Sequence, residues 1–140
     1  MRSSVIVGPL ASIILIACSG GVSPGDVQVR TDRHTHFVPD IASVTVRNDW
    51  DENIYLSSCA ILERREGGDW VGPAEVACPE DLVALRPGGS HQFVRGLNDA
   101  TALGTSRFRV PISREGVPFR AIGEAFVSHT FTVAPGAPQD

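Results

Sequence analysis

The sequence predicts an all-β domain, folded as an antiparallel, immunoglobulin-like β-sandwich that follows an N-terminal signal segment. Short runs rich in Val, Ile, Phe and Thr recur along the chain, and clusters of Gly, Pro, Asn and Asp separate them. No window has a convincing helical period. About seven or eight strands of this length fit two packed sheets, and a small β-barrel is the alternative arrangement.

Alternation of apolar and polar residues indicates the first central strand. In residues 41–47, Ala42, Val44 and Val46 fall on one face of a strand and polar residues on the other. A second strand is expected from residue 54 to residue 59. Residues 61–66 and 69–71 then flank Gly67-Gly68, which predicts a tight hairpin.

Three further strands are expected in the second half of the chain. A turn at residues 86–89 precedes a strand over 90–97, and another strand is predicted over 107–112. Pro111 cannot donate a ladder hydrogen bond, which places it at a sheet edge or strand end. In the last strand, one face is predicted to hold Ala125, Val127, Phe131 and Val133.

The N-terminus has the layout of a secretory signal peptide over residues 1–17. Arg2 supplies a positive start, and the apolar stretch that follows is shorter than the roughly 20 residues that a transmembrane helix needs. Leu15-Ile16-Ala17-Cys18 resembles the lipobox of bacterial lipoproteins. The resemblance implies cleavage before Cys18 and a diacylated thiol, and two or more acyl chains give stable anchoring. An ordinary cleaved signal with an incidental cysteine is the alternative.

The predicted mature chain has three parts. Residues 18–26 are the lipidated cysteine with a tether rich in Gly, Ser and Pro, residues 27–134 are the β-sandwich, and residues 135–140 are a loose tail. Ser19 stands where an Asp would resemble an inner-membrane retention signal. We therefore expect a lipid-anchored envelope protein, in the outer membrane if the cell has two membranes.

Charge argues against nucleic acid as a partner. The chain has 16 acidic and 12 basic residues, and its formal net charge is -4. Loss of the signal segment removes Arg2, which makes the mature charge -5 (11 basic against 16 acidic residues). A weakly acidic domain is a poor binder of phosphate backbones.

Two cysteines remain if Cys18 carries the lipid. Cys59 and Cys78 are predicted to form one disulfide, because an exported chain permits oxidation. Closing a loop of about 20 residues would contribute roughly 3 kcal/mol in the chain-entropy model. A redox or metal pair is the alternative, although the chain has no C-x-x-C sequence.

Residues 44–112 resemble a recurrent type of uncharacterised bacterial lipoprotein domain with an immunoglobulin-like fold. The similarity covers about half of the chain and differs at Ser106, where a Tyr is usual. The resemblance implies a fold and a place in the envelope, and no activity or catalytic residue. The motifs that carry it are, in order, Asn48, Cys59, Leu62-Glu63-Arg64-Arg65, Gly67-Gly68-Asp69-Trp70, Cys78, Leu85-Arg86-Pro87-Gly88 and Gly104-Thr105-Ser106-Arg107.

No enzyme or cofactor site is predicted. The sequence contains no nucleophile elbow, zinc-protease, Walker A or dinucleotide motif, and the absence of lysine excludes a Schiff-base site. The remaining metal candidate is the pair His34 and His36, whose imidazoles fall on one face of an extended segment. Asp32 falls on the same face. The alternative is that both histidines are simply exposed.

Two kinds of side chain are candidates for partner binding. Trp50 and Trp70 lie in or beside turns, where an exposed Trp can anchor a partner or fold over the rim of the sandwich. The rim is favoured for Trp70, and Trp50 is left open. Arg64 and Arg65, with Arg107 and Arg109, form either a basic patch suited to a carboxylate or sugar acid, or a solvated strand face.

The expected function is a non-enzymatic envelope lipoprotein that serves as a binding or interaction module. The membrane is contacted through the lipid anchor, and the expected partner is an envelope protein or a glycan. The alternatives are an inhibitor or assembly accessory protein that acts through loops 72–81 or 113–123, and a metal-binding envelope protein.

Overall fold

The all-β prediction is confirmed. The computed structural model describes residues 24–74, 81–97, 103–122 and 126–136. Within these ranges the chain forms eleven β-strands and one 3₁₀ turn at Pro24–Asp26. No helix in this part of the chain is long and apolar enough to cross a bilayer.

The strands are more numerous and shorter than expected. The prediction of seven or eight missed four of them, β1, β2, β7 and β10, which have two to five residues each. The full set is β1 (Val27–Thr31), β2 (Thr35–Val38), β3 (Asp40–Asn48), β4 (Ile54–Ser57), β5 (Ile61–Glu66), β6 (Asp69–Val71), β7 (Leu82–Leu85), β8 (Ser90–Leu97), β9 (Gly104–Arg109), β10 (Ile112–Ser113) and β11 (Phe131–Pro135).

Three sheets enclose the core. Their strand orders are β1-β3-β8, β10-β4-β7 and β2-β11-β9-β5-β6. The pairings are antiparallel except that of β2 with β11, which is parallel. The five-stranded sheet has β2 and β6 at its edges, and β5, β6 and β9 carry the candidate site described below.

Short stretches of chain carry β4 into β5 and β9 into β10, and each passes from one sheet to another. Residues 58–60 separate β4 from β5, and Val110 and Pro111 separate β9 from β10. Pro111 has no N–H for a ladder, and its carbonyl accepts a bond from Ser57 N at 3.4 Å. The prediction of one strand over residues 107–112 is therefore wrong at this point. Phe108, Val110 and Ile112 are nevertheless all buried.

One hydrophobic core draws on each of the three sheets. The predicted alternation in β3 is confirmed, because its inward residues are fully buried and those between them are not. Burying these side chains supplies the main favourable term in folding. The largest fully buried apolar side chains are Ile54, Leu56, Leu97, Phe108 and Ile112.

The predicted hairpin of β5 and β6 is confirmed. Gly67 and Gly68 have φ angles of 55° and 97°. Both values lie in the left-handed region that a type I′ turn requires and that glycine adopts without a steric penalty. The turn fixes the register, which places Trp70 opposite Arg65.

The last strand is shorter than predicted. β11 begins at Phe131, and Val127 forms only an isolated bridge with Arg109. The prediction that Val127 shares one strand face with Phe131 and Val133 is wrong, because the side chain of Ser128 interrupts the ladder. Its Oγ accepts a hydrogen bond from Phe108 N at 2.9 Å and donates to His129 O at 2.8 Å. Ala125 lies outside the described residues.

The C-terminal boundary of the sandwich lies close to the predicted one. Pro135 is the last residue of β11, and Gly136 N donates to Val38 O at 3.0 Å. Residues 137–140 of the predicted tail, together with the signal segment and Cys18, lie outside the described residues.

Candidate functional site

A cluster of arginines and one tryptophan covers part of the outer face of the five-stranded sheet. In β9, Phe108 points into the core, so Arg107 and Arg109 alternate to the outer face. In β5, Glu63 is paired in register with Arg107, and Arg65 lies one step further along the same face. We call Glu63, Arg65, Trp70, Arg107 and Arg109 the arginine–tryptophan face.

Glu63 holds two of these arginines in place. Arg107 Nε donates to Glu63 Oε2 and Arg109 Nε donates to Glu63 Oε1, both at 2.7 Å. The residue is only 6% exposed. Such charge-assisted bonds are stronger than neutral ones, and each carboxylate oxygen here fixes one guanidinium. Within the described part of the chain, these are the only side-chain hydrogen bonds of Arg107 and Arg109, so their terminal NH₂ groups are available to a ligand.

The indole of Trp70 lies among the guanidinium groups. The guanidinium carbon of Arg107 is 4.3 Å from the ring centroid, and that of Arg65 is 5.1 Å from it. Both distances are within the range of a cation–π interaction. Trp70 is half-buried on the outer face of an edge strand, rather than folded over the rim of the sandwich as expected. Its ring is held in a fixed orientation while part of it remains in contact with water.

The predicted four-arginine patch forms only in part. Arg64 alternates to the opposite face from Arg65, where its guanidinium pairs with Glu66. Arg65, Arg107 and Arg109 stay together with one acid, Glu63, so the formal charge of the face is +2 (three arginines, one carboxylate). The face is locally basic on an acidic domain.

Trp50 occupies a separate place at the rim of the core. It is half-buried and packs against the hydrophobic cluster. The guanidinium carbon of Arg114 lies 4.9 Å from its ring centroid, and Arg114 also donates to Glu52 Oε2 at 3.3 Å. The structure thus gives Trp50 the rim position and Trp70 the outer face.

The two histidines of the metal candidate are not brought together. His36 is fully buried, whereas His34 precedes β2, is exposed, and lies 4.5 Å from His129 between ring centroids. His36 Nδ1 lies 2.8 Å from Asp40 Oδ2, and His36 Nε2 lies 3.6 Å from Asp32 Oδ1. Among the residues that the structure describes, no three His, Cys, Asp or Glu side chains form a group able to hold a metal ion.

A hydrogen bond from His36 shifts the pKa of its neighbour Asp40. The hydrogen bond from His36, followed by that from Ile41 N, lowers the pKa of Asp40 below its usual 3.8. A carboxyl whose pKa is lowered by folding stabilises the folded state above its unfolded pKa, and this contribution is lost as pH falls through the folded pKa. Asp40 therefore contributes to stability at neutral pH and ceases to contribute in acid.

We expect Asp40→Asn to lower the free energy of unfolding at pH 7, and this difference from the wild type to shrink as pH falls through the lowered pKa of Asp40. Urea unfolding at a series of pH values measures the difference. Asp51→Asn, at an exposed position in the turn after β3, is the matched control and should differ little from the wild type throughout. A difference between Asp40→Asn and the wild type that is constant with pH would contradict the account.

The disulfide remains a prediction. Cys59 is buried at 3% exposure, in the segment between β4 and β5. Its predicted partner, Cys78, lies outside the described residues.

Comparisons with known proteins give this chain no family. No protein-family model matches the chain, and no curated protein matches it. Among solved structures, it is similar to the ASH/PapD-like domain 7 of human CEP192, with 12% identity and a TM-score of 0.41 over 100% of this chain and 99% of that one. The all-β fold is assigned from the chain's own strands and sheets.

Two other similar structures are longer proteins. The alkylpurine DNA glycosylase AlkC of Pseudomonas fluorescens is 13% identical with a TM-score of 0.41, over 77% of this chain and 30% of that one. The sporulation control protein Spo0M of Bacillus subtilis is 14% identical with a TM-score of 0.39, over 78% of this chain and 49% of that one. The chain spans less than half the length of each, and these likenesses assign it no ligand, partner or activity.

Proposed function

We propose that this chain is a lipid-anchored envelope protein whose β-sandwich is a non-enzymatic binding module. Its binding surface is the arginine–tryptophan face, and its partner is an acidic segment of another envelope protein. The lipobox-like Leu15-Ile16-Ala17-Cys18 supports the anchor. The observation that carries the binding role is the half-exposed indole of Trp70, held beside two guanidiniums in an edge hairpin.

Pre-organisation makes this face suited to binding. Trp and Arg are enriched among the residues that dominate protein interfaces. Ordering a long arginine side chain on binding costs roughly 0.5–1.5 kcal/mol, and Glu63 has already fixed Arg107 and Arg109 in the free protein. The face can therefore bind an anionic group with little further loss of side-chain freedom.

The charge of the face favours an acidic partner. Glu66 and Asp69 alternate to the opposite face of the hairpin, so Glu63 is the only acid that β5, β6 and β9 place on this one. Both oxygens of Glu63 are already bound by arginines. A carboxylate from a partner would thus meet free guanidinium N–H groups beside a flat apolar ring.

The anchor is tested by metabolic labelling with a fatty acid. We expect the full-length chain to incorporate the label and Cys18→Ala to abolish incorporation. Ser19→Ala, one residue further on, is the control and should keep the label. Label that persists in Cys18→Ala would contradict the assignment of the anchor.

The binding surface is tested by formaldehyde crosslinking of the tagged, full-length chain in living cells. We expect Trp70→Ala and Arg65→Ala each to reduce capture of a defined protein by about tenfold or more, as at an interface hot spot. Val94→Ala, at an exposed position of β8 on another sheet, is the matched control and should leave capture unchanged. Equal capture by all variants would exclude this face, and capture of a glycan would overturn the proposed partner class.

A further inference from the structure

A second surface lies at the end of the sandwich where the chain enters. β1 begins at Val27, which is paired with Asn48, and Asp49 N donates to Asp26 O at 2.8 Å. The guanidinium of Arg114 lies over the ring of the next residue, Trp50. The loop of residues 114–120 is therefore rooted beside the start of the folded domain.

This loop is firmly tied at its base. Ser113 Oγ accepts hydrogen bonds from Glu115 N at 3.1 Å and from Arg120 N at 3.2 Å, and it donates to Glu115 O at 2.7 Å. Ser113 also forms an isolated antiparallel β-bridge with Ala121, which follows the loop. Gly116 lies against the ring of Tyr55, where a Cβ would approach a ring carbon to 3.2 Å. The loop thus presents its tip in a defined position.

The tip is apolar, and it contains one almost fully exposed side chain, Val117, beside the half-buried Phe119. Val117 is 89% exposed, the highest value among the large hydrophobic residues that the structure describes. Pro118 and Phe119 follow it, and Arg114 and Arg120 flank the three. An apolar tip between arginines is the composition of segments that insert into the interface of a bilayer, where the apolar atoms enter the lipid and the cations stay at the headgroups.

We propose that the loop of residues 114–120 contacts the lipid surface to which Cys18 anchors the chain. This inference rests on the proposed anchor. Six residue steps separate Cys18 from Pro24, so even a fully extended tether spans only about 20 Å. The end that carries the loop is therefore confined close to the bilayer. Asp51, Glu52 and Glu115 lie at the same end, so apolar contact with neutral lipid rather than attraction to anionic headgroups holds the loop there.

This contact orients the binding face away from the membrane. β9 and β10 run from Gly104 to Ser113, and the turn of the β5–β6 hairpin lies near the Gly104 end. Nine residue steps of about 3.3 Å separate Gly104 from Ser113, so that turn lies at most about 30 Å from the base of the loop. The arginine–tryptophan face is then presented to the space beyond the bilayer rather than to the lipid.

The test uses the full-length, lipidated chain reconstituted in phosphatidylcholine vesicles. An environment-sensitive fluorophore is attached at position 117 in Val117→Cys, or at position 94 in the matched control Val94→Cys, which is 64% exposed on another face. Wild-type chain treated in the same way gives the background. We expect brominated lipids to quench the label at position 117 several-fold more than the label at position 94.

The possible outcomes separate this inference from the proposed function. Equal quenching at the two positions in a chain that floats with the vesicles overturns the lipid contact and leaves the anchor and binding face intact. If a chain that bears the lipid does not float with the vesicles, the anchor and this inference are both overturned. Strong quenching at position 94 alone would mean that the face with Val94, and not the loop, contacts the lipid.

Discussion

Replacing Glu63 by alanine is expected to lower the free energy of unfolding by about 2–3 kcal/mol. Removing one partner of a buried ion pair typically costs 3–5 kcal/mol, because the remaining charge is left without compensation. The value expected here is smaller, since the side chains of Arg107 and Arg109 are 22% and 32% exposed and water can solvate them in part. Urea unfolding of the purified domain measures the loss.

Glu66→Ala is the matched control for this prediction. Like Glu63, Glu66 forms an ion pair, in this case with Arg64 of the same strand. The side chain of Glu66 is 45% exposed, however, and that of Arg64 is 35% exposed. Exposed pairs contribute about 0–1 kcal/mol. If Glu63→Ala destabilised the protein no more than Glu66→Ala, Glu63 would not be the residue that organises the arginine–tryptophan face.

Replacing Asn48 by alanine is expected to lower the free energy of unfolding by about 3–4 kcal/mol, because its buried side chain makes three hydrogen bonds, one of them fully buried. Asn48 is fully buried, and its Nδ2 donates to Glu52 O at 2.8 Å and to Leu85 O at 3.0 Å. Its Oδ1 accepts from Trp50 N at 3.0 Å. Alanine would leave two carbonyls and one N–H without these partners where water has little access, together with a small cavity.

The backbone of Asn48 makes two further hydrogen bonds, which an alanine would keep. Asn48 N donates to Gly89 O at 2.9 Å, and Gly88 N donates to Asn48 O at 2.7 Å. The residue therefore joins the turn after β3 to the turn before β8. Asn53→Ala, at an exposed position of the first turn, is the control and should change the free energy of unfolding by less than about 0.5 kcal/mol. Equal losses for the two variants would contradict the assigned role of Asn48.

Local sequence patterns were sufficient for the central strands and the hairpin. The alternation through Ala42, Val44 and Val46 predicted the buried face of β3, because a strand with one face on the core repeats every two residues. Gly67-Gly68 predicted the hairpin turn, because few residue pairs other than glycines adopt two successive positive φ angles. Both features depend only on residues adjacent in sequence.

Sequence reasoning failed where the decisive contact is distant along the chain. Nothing near Glu63 indicates that it is buried, since its two partners are 44 and 46 residues away on β9. The same applies to His36, because alternation along the segment indicates only that His36 and His34 share a strand face. It is buried against Phe131, with ring centroids 5.4 Å apart. Only the register of β9 and the parallel pairing of β2 with β11 determine these surroundings.

The two tryptophans show the same limit. Each lies in or beside a turn, and turn residues carry no local signal that tells a rim from an outer sheet face. Trp70 belongs to the outer face because the type I′ turn sets its register against Arg65. Trp50 belongs to the rim because Asn48 Oδ1 holds its backbone N–H close to the core.

The most direct test of the proposed binding face is site-specific photocrosslinking in living cells. A photoreactive residue is placed in the full-length chain at Thr105, exposed on β9 beside Arg107, or at Gln92, exposed on the outer face of β8. The account predicts an adduct of defined mass from position 105, none from position 92, and loss of the adduct when Trp70→Ala is added. The same adduct from both positions, or an adduct at position 105 that persists without Trp70, would contradict it.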